Sequence, residues 1–147
     1  MDAAPYLNPG LPTPIASRDG LDHQFWDGLR NEQLWIQQCI SCERFQWGPE
    51  WICHRCRSFD LQFNMVEAHG LIYSHQRVWH PVHPALTDQG PYIVVLVELP
   101  HADGVRLVGN LVGDPHQDLV IGAPVSAVFE HHTDTEHPHT LLQWTLN

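Results

Sequence analysis

Three features of the sequence predict a mainly β chain with a short helix and a thiolate-stapled ribbon at its N-terminal end. The chain's four cysteines form two CxxC pairs, Cys39 with Cys42 and Cys53 with Cys56, ten residues apart. Pro5, Pro9, Pro12 and Pro14 open the chain among small residues. After Cys56 the apolar pattern becomes that of successive strands broken by turn residues.

Taken in order, residues 1–18 read as an extended arm, because that proline density excludes helix interior. Asp19 offers an N-cap, and Leu21, Phe25 and Leu29 recur every four residues beside Trp26, predicting a short amphipathic helix that ends near Asn31. LWIQQC from Leu34 reads as a strand entering the first cysteine pair, and RFQWGPEWIC returns through Gly48 and Pro49 to the second. The helix and ribbon thus occupy 19–60, and the β region 61–147.

In that region the pattern predicts strands at about 61–68, 71–79, 92–99, 105–112, 125–131 and 141–146. With the first two taken as one long strand bent at Gly70, five strands remain. That number suits a partly open barrel of the OB type, with DPHQDLV as a helical turn between strands three and four. A small β-sandwich is the fallback. YIVVLVEL is apolar on both faces, as expected of a central buried strand.

Two CxxC knuckles joined by a short loop place four thiolates where they close a tetrahedron, which points to a structural zinc site at Cys39, Cys42, Cys53 and Cys56. Iron suits the same sulfurs. Two disulfides would require an oxidising compartment, and MDAAPYLNPGLPTP has neither the basic start nor the apolar run of a signal peptide. The expectation is therefore a cytoplasmic chain. A haem attachment would need His directly after the second cysteine, where Glu43 and Arg57 stand. Zinc ligated by four thiolates has no open position, so the metal reads as structural rather than catalytic.

The formal charge is −10, and all seven basic residues are arginines. Nucleic acid is thus an unfavourable partner, although a nucleic-acid-binding zinc-ribbon and OB-fold protein is the alternative the architecture suggests. No apolar stretch approaches a membrane span. Arg44, Arg55 and Arg57 surround the cysteines in sequence, placed either to meet a phosphate or acidic partner or to screen the thiolates. No GxSxG, GxxxxGK or GxGxxG occurs.

Together, FWDGLRNEQLWIQQCISC, WICHRC, GLIYSHQRVWHP, PYIVVLVEL, VRLVGNLVG and IGAPVSAVF span roughly residues 21 to 131. In that order they resemble a family of acyl-CoA-associated bacterial and archaeal proteins. These join an N-terminal helix, a rubredoxin-like zinc ribbon and a C-terminal OB-fold. The FW-plus-helix start, the two knuckles and the IG-x-PV turn are specific in combination. The resemblance implies one structural zinc and no independent activity. It also implies a thiolase-fold partner, either a thiolase or a retro-aldol enzyme of steroid or aromatic degradation, acting on acyl-CoA in a heteromeric complex. The reacting groups would then belong to that partner.

Six tryptophans are many for 147 residues. Phe25, Trp26, Trp47 and Trp51 suit a protein interface, or else pad the seam between ribbon and barrel. His80 and His83 sit in the Pro-rich loop after the first barrel strand, where an OB-fold places a binding loop, and are candidate contacts to substrate or partner. EHHTDTEHPH reads as a polar loop between the last two strands rather than a second metal site.

Overall fold

The computed structural model describes residues 10–17 and 20–147. One helix, α1 (His23–Arg30), precedes a three-stranded antiparallel sheet of β1 (Leu34–Cys39), β2 (Phe45–Gln46) and β3 (Leu61–Val66) in the order β2-β1-β3. A five-stranded antiparallel sheet follows: β4 (His69–Val78), β5 (Tyr92–Leu99), β6 (Val105–Asn110), β7 (Pro124–His132) and β8 (His139–Leu146), ordered β6-β5-β4-β7-β8. Its ends meet in a parallel bridge between Leu111 and Trp144, with the Val112 N–H donating to the Trp144 carbonyl at 2.8 Å. The result is the nearly closed OB-type barrel expected from the strand count.

The helix buries Phe25, Gly28 and Leu29, the face its four-residue spacing predicts. Its N-cap is Asp22, whose carboxylate accepts the Trp26 indole N–H at 2.9 Å; Asp19, expected in that role, lies outside the described residues. The arm is described only over 10–17.

Four expectations are corrected. Leu61–Val66 is not the first half of a bent barrel strand but the third strand of the ribbon sheet, paired with β1 from Leu34↔Val66 to Cys39↔Leu61. Alternation shows that a segment is a strand but not which sheet it joins, and the chain crosses between sheets at Glu67 and Ala68. DPHQDLV forms a turn, with the Gln117 N–H donating to the Asp114 carbonyl at 3.0 Å, and no helix. β5 buries Ile93, Val95, Val97 and Leu99 but leaves Val94 and Leu96 only half-buried, because among the described residues no layer covers its outer face. The histidine-rich segment extends β7 and β8 to His132 and His139, leaving only 133–138 as loop.

The core is continuous. Phe25 and Leu29 of the helix and Leu34 and Ile36 of the ribbon share one cluster with Ile72, Val97, Leu107, Val125 and Trp144 of the barrel. A polar link reinforces it: Asp103 accepts the Arg44 guanidinium at 2.6 Å and the Phe45 backbone N–H at 2.9 Å. Asp103 adopts a left-handed φ of 55° after the 3-10 turn Pro100–Ala102, a conformation Asp tolerates better than most residues. Among the described residues no helix is long and apolar enough to cross a membrane.

Two outcomes follow from this packing. A Cβ on Gly109 would lie 2.7 Å from Trp144 Cδ1 and 2.8 Å from the Leu142 carbonyl, so Gly109→Ala should lower unfolding free energy by about 2 kcal/mol or more in urea titration. The Phe45 N–H and then Arg44 hold the Asp103 carboxyl below its ordinary value of 3.8. Its contribution is thus present above pH 3.8 and lost as pH falls through the depressed folded value. Asp103→Asn should cost about 1 kcal/mol at neutral pH, the Arg44 partner being half-exposed, and the gap from wild type should close in acid denaturation.

Candidate metal centre and exposed aromatic surface

The four cysteine sulfurs lie within 4.8 Å of one another. Cys39 and Cys56 are 3.5 Å apart and Cys42 and Cys53 3.6 Å, near the roughly 3.8 Å edge of a tetrahedron with metal–sulfur bonds of about 2.3 Å. The two knuckles repeat one geometry. Cys39 N–H donates to the Arg44 carbonyl at 2.9 Å and Cys53 N–H to the Ser58 carbonyl at 2.8 Å. Glu43 and Arg57, each directly after the second cysteine of its pair, take left-handed φ values of 60° and 63°. Backbone N–H groups also point at sulfur within the second pair, with Arg55 N–H 3.4 Å and Cys56 N–H 3.5 Å from Cys53 Sγ.

The four thiols influence one another's ionisation. The Cys56 backbone N–H, followed by that of Arg55, brings the Cys53 thiol down to about 6 against burial. At Cys56 the Ser58 N–H alone would lower the thiol, but burial and the neighbouring thiols Cys39, Cys42 and Cys53 push it up to about 12. Cys42 is raised in the same way, the Arg44 N–H being outweighed by burial and by Cys53. Four thiolates at this spacing repel one another unless a metal cation lies among them, and sulfur donors in this arrangement fit zinc.

Two buried glutamines fix the second knuckle. Gln37 of β1 donates to the Glu50 carbonyl at 3.0 Å and accepts the Glu50 N–H at 3.0 Å. Gln46 of β2 donates to Gln37 at 2.6 Å and to the Ile52 carbonyl at 3.3 Å, and accepts the His54 N–H at 2.9 Å. The segment 50–54 therefore has its backbone tied on both sides of Trp51.

The structure separates the remaining candidates. Phe25 is 7% exposed and packs on Trp47 with ring centroids 4.6 Å apart; Trp26 meets Phe25 at 5.4 Å. These three line the seam between helix, ribbon and barrel, whereas Trp51 is 71% exposed. Arg44 turns to Asp103, while Arg55 and Arg57 lie exposed at the second knuckle. His83 accepts the Ala85 N–H at 3.2 Å as the cap of the 3-10 turn Pro84–Leu86, and His80 is exposed in the same loop. His132 is 2.7 Å from the buried Glu130 and stacks on His139 with centroids 4.7 Å apart. Phe59, 77% exposed beside Trp51 in one groove, was not singled out from the sequence, and no motif marks it.

A helix and four-cysteine ribbon sharing a core with a five-stranded OB barrel define the class: a rubredoxin-like zinc ribbon plus OB-fold protein. Residues 26–62 match the ChsH2 rubredoxin-like zinc ribbon domain, and residues 66–130 match the ChsH2 C-terminal OB-fold domain. The chain belongs to this ChsH2/DUF35 family. A solved structure described as the Ltp2-ChsH2(DUF35) aldolase aligns over 91% of this chain and 98% of its own, with TM-score 0.73 and 32% identity. A DUF35-family protein of unknown function from Sulfolobus solfataricus shares the fold at TM-score 0.61 and 14% identity, covering 88% of this chain and 87% of its own. A probable enoyl-CoA hydratase alpha subunit of Thermomonospora curvata is 38% identical over 115 residues, 78% of this chain and 34% of that protein. A DUF35 domain-containing scaffold protein of Methanocaldococcus jannaschii is 26% identical over 114 residues, 76% of this chain and 79% of that one. The 3-oxo-4,17-pregnadiene-20-carboxyl-CoA hydratase alpha subunit of Mycobacterium tuberculosis is 29% identical over 116 residues, 79% of this chain and 35% of that one. The chain thus spans about a third of the two hydratase subunits.

The donor set predicts one zinc per chain by elemental analysis of protein purified without added metal. Strong chelation should release it together with the near-ultraviolet signal of the ribbon tryptophans, and added zinc should restore both. Cys53→Ser should bind less than a tenth as much metal.

Proposed function

We propose that the chain is a non-catalytic, zinc-stapled accessory subunit of a thiolase-fold enzyme acting on an acyl-CoA, supporting that enzyme's fold and the shape of its substrate channel. The observation that carries this reading is the 32% identity, over nearly its whole length, with a chain of the Ltp2-ChsH2(DUF35) aldolase. Zinc held by Cys39, Cys42, Cys53 and Cys56 has all four positions filled by sulfur, so what it supplies is folding free energy. The same residues account for all four cysteines, leaving no thiol for acyl transfer. The reacting groups therefore come from the partner.

Retro-aldol chemistry is favoured over thiolysis. Relatives of this module are named both for an aldolase and for enoyl-CoA hydratases. Adding water across an enoyl-CoA gives a β-hydroxyacyl-CoA, the type of compound that retro-aldol cleavage consumes. A module shared by an aldolase and by hydratase subunits fits an adaptor rather than either catalyst, and the archaeal relative is called a scaffold protein. The acyl group we assign is a bulky polycyclic one, from the steroid-type name of the mycobacterial relative, and the compartment we assign is the cytoplasm, where thiols stay reduced.

Co-expression with the aldolase- or thiolase-like enzyme encoded beside this chain tests the reading. The two should co-elute on gel filtration, and the enzyme made alone should be largely insoluble or inactive. Cys39→Ala should release the partner without altering any group that touches substrate. Separate elution, with the enzyme fully active alone, would defeat the proposal.

A further inference from the structure

Resting on the accessory-subunit reading, we propose that the partner enzyme docks on the ribbon face bordered by Trp51 and Phe59, inserting an apolar segment. Trp51 at 71% and Phe59 at 77% are the most exposed aromatic rings among the described residues. They border one groove of about 360 Å³ with Leu21, Leu61 and Phe63. Met65 continues the stripe, since it lies two residues beyond Phe63 on β3 and therefore on the same face, and it is 59% exposed.

Both rings are held outward by pinned backbone rather than left on loose loops. Trp51 stands between Glu50, tied to Gln37, and Ile52, tied to Gln46. Phe59 stands between Ser58, whose carbonyl takes the Cys53 N–H at 2.8 Å, and Asp60, whose carbonyl takes the Ile40 N–H at 2.8 Å. Fixing two large aromatics in solvent costs apolar exposure and gains nothing for this chain alone, whereas a prearranged aromatic pair lowers the ordering cost of an interface. Tryptophan in such a place is the commonest binding hot spot.

Charge selects the occupant. Of the groove's lining residues only His23 and Glu50 are titratable, the polar remainder being the amides Gln24, Gln37 and Gln62. A second copy would bring another body of charge −10 against this one, which long-range repulsion disfavours. A different chain, apolar at its contact and not itself strongly acidic, fills the groove without that repulsion. The barrel's outer face, with Leu71, Tyr73 and Val108, is the rival surface, but its aromatic ring is already covered by the Arg106 guanidinium, 3.5 Å from the Tyr73 ring centroid, and Arg106 is paired with Glu98.

The test measures affinity for the enzyme encoded beside the chain, using wild type, Trp51→Ser/Phe59→Ser, Phe59→Ser alone and Leu71→Ser/Val108→Ser, each checked for zinc content and far-ultraviolet circular dichroism. The ribbon double variant should keep its zinc and fold yet lose at least about 30-fold in affinity. Phe59→Ser alone should lose several-fold, and the barrel variant should change less than about 2-fold. Unchanged binding by both ribbon variants, with loss in the barrel variant, overturns the docking site while leaving the accessory role intact. Wild type that binds no enzyme defeats the accessory reading itself. Self-association abolished by Trp51→Ser/Phe59→Ser would make a second copy the occupant and overturn the proposal.

Discussion

The burial of Leu29, Leu34 and Ile36 into the barrel's own core is the constraint on which the rest of the molecule depends. All three are fully buried and share a cluster with Val97, Leu107 and Trp144. A ribbon of this size has too little apolar area to fold alone, and each such side chain contributes about 1.5–3 kcal/mol on burial. Helix α1 therefore acts as a shared wedge: Phe25 and Leu29 face inward while Trp26 and Trp47 seal the seam. Burial of this kind is non-directional, and the Asp103 contacts to Arg44 and to the Phe45 N–H supply direction across 59 and 58 residues of sequence.

Two polar systems then give the ribbon its shape. The sulfur cluster sets where the knuckles meet, and the Gln37–Gln46 pair sets how the returning segment lies against β1. Neither suffices alone. A four-thiolate site fixes four side chains but leaves 43–52 free to take several paths. The glutamines close that freedom by accepting and donating to the backbone of Glu50, Ile52 and His54. A buried amide half-satisfied is costly, so the arrangement is nearly all-or-none.

Much of this was legible before any coordinates. CxxC spacing dictates paired knuckles because the chemistry of thiolate coordination admits few alternatives, and a short unbroken apolar run marked β5 at Tyr92–Leu99. What local pattern cannot carry is the identity of a partner strand. Leu61–Val66 has the same alternation whether it pairs with β1 or continues into β4. Nor does sequence show which aromatics turn inward: Trp47 and Trp51 sit four residues apart on one returning segment, yet only Trp47 reaches Phe25. Asp103 in its HADG turn reads as an ordinary turn residue because its partners lie nearly sixty positions away. The outer face of β5 reads as buried because Val94 and Leu96 are apolar, and apolarity reports what a side chain prefers rather than what this chain provides to cover it.

That last mismatch bears on function. An apolar pattern stronger than the chain's own burial requires arises where a second polypeptide supplies the missing layer. Here the surplus is largest on the aromatic ribbon groove, where Trp51 and Phe59 stand exposed and Glu50 is the one carboxylate of the lining. A self-associating protein must bring like charge together at its contact, but a subunit of a mixed complex has no such penalty when its partner is basic. The rigid sulfur-and-glutamine frame keeps the groove's shape before contact, so less conformational entropy is lost when it is filled. The sulfur cluster and the groove are linked through shape, because Cys53 and Cys56 lie on the segment that joins Trp51 to Phe59.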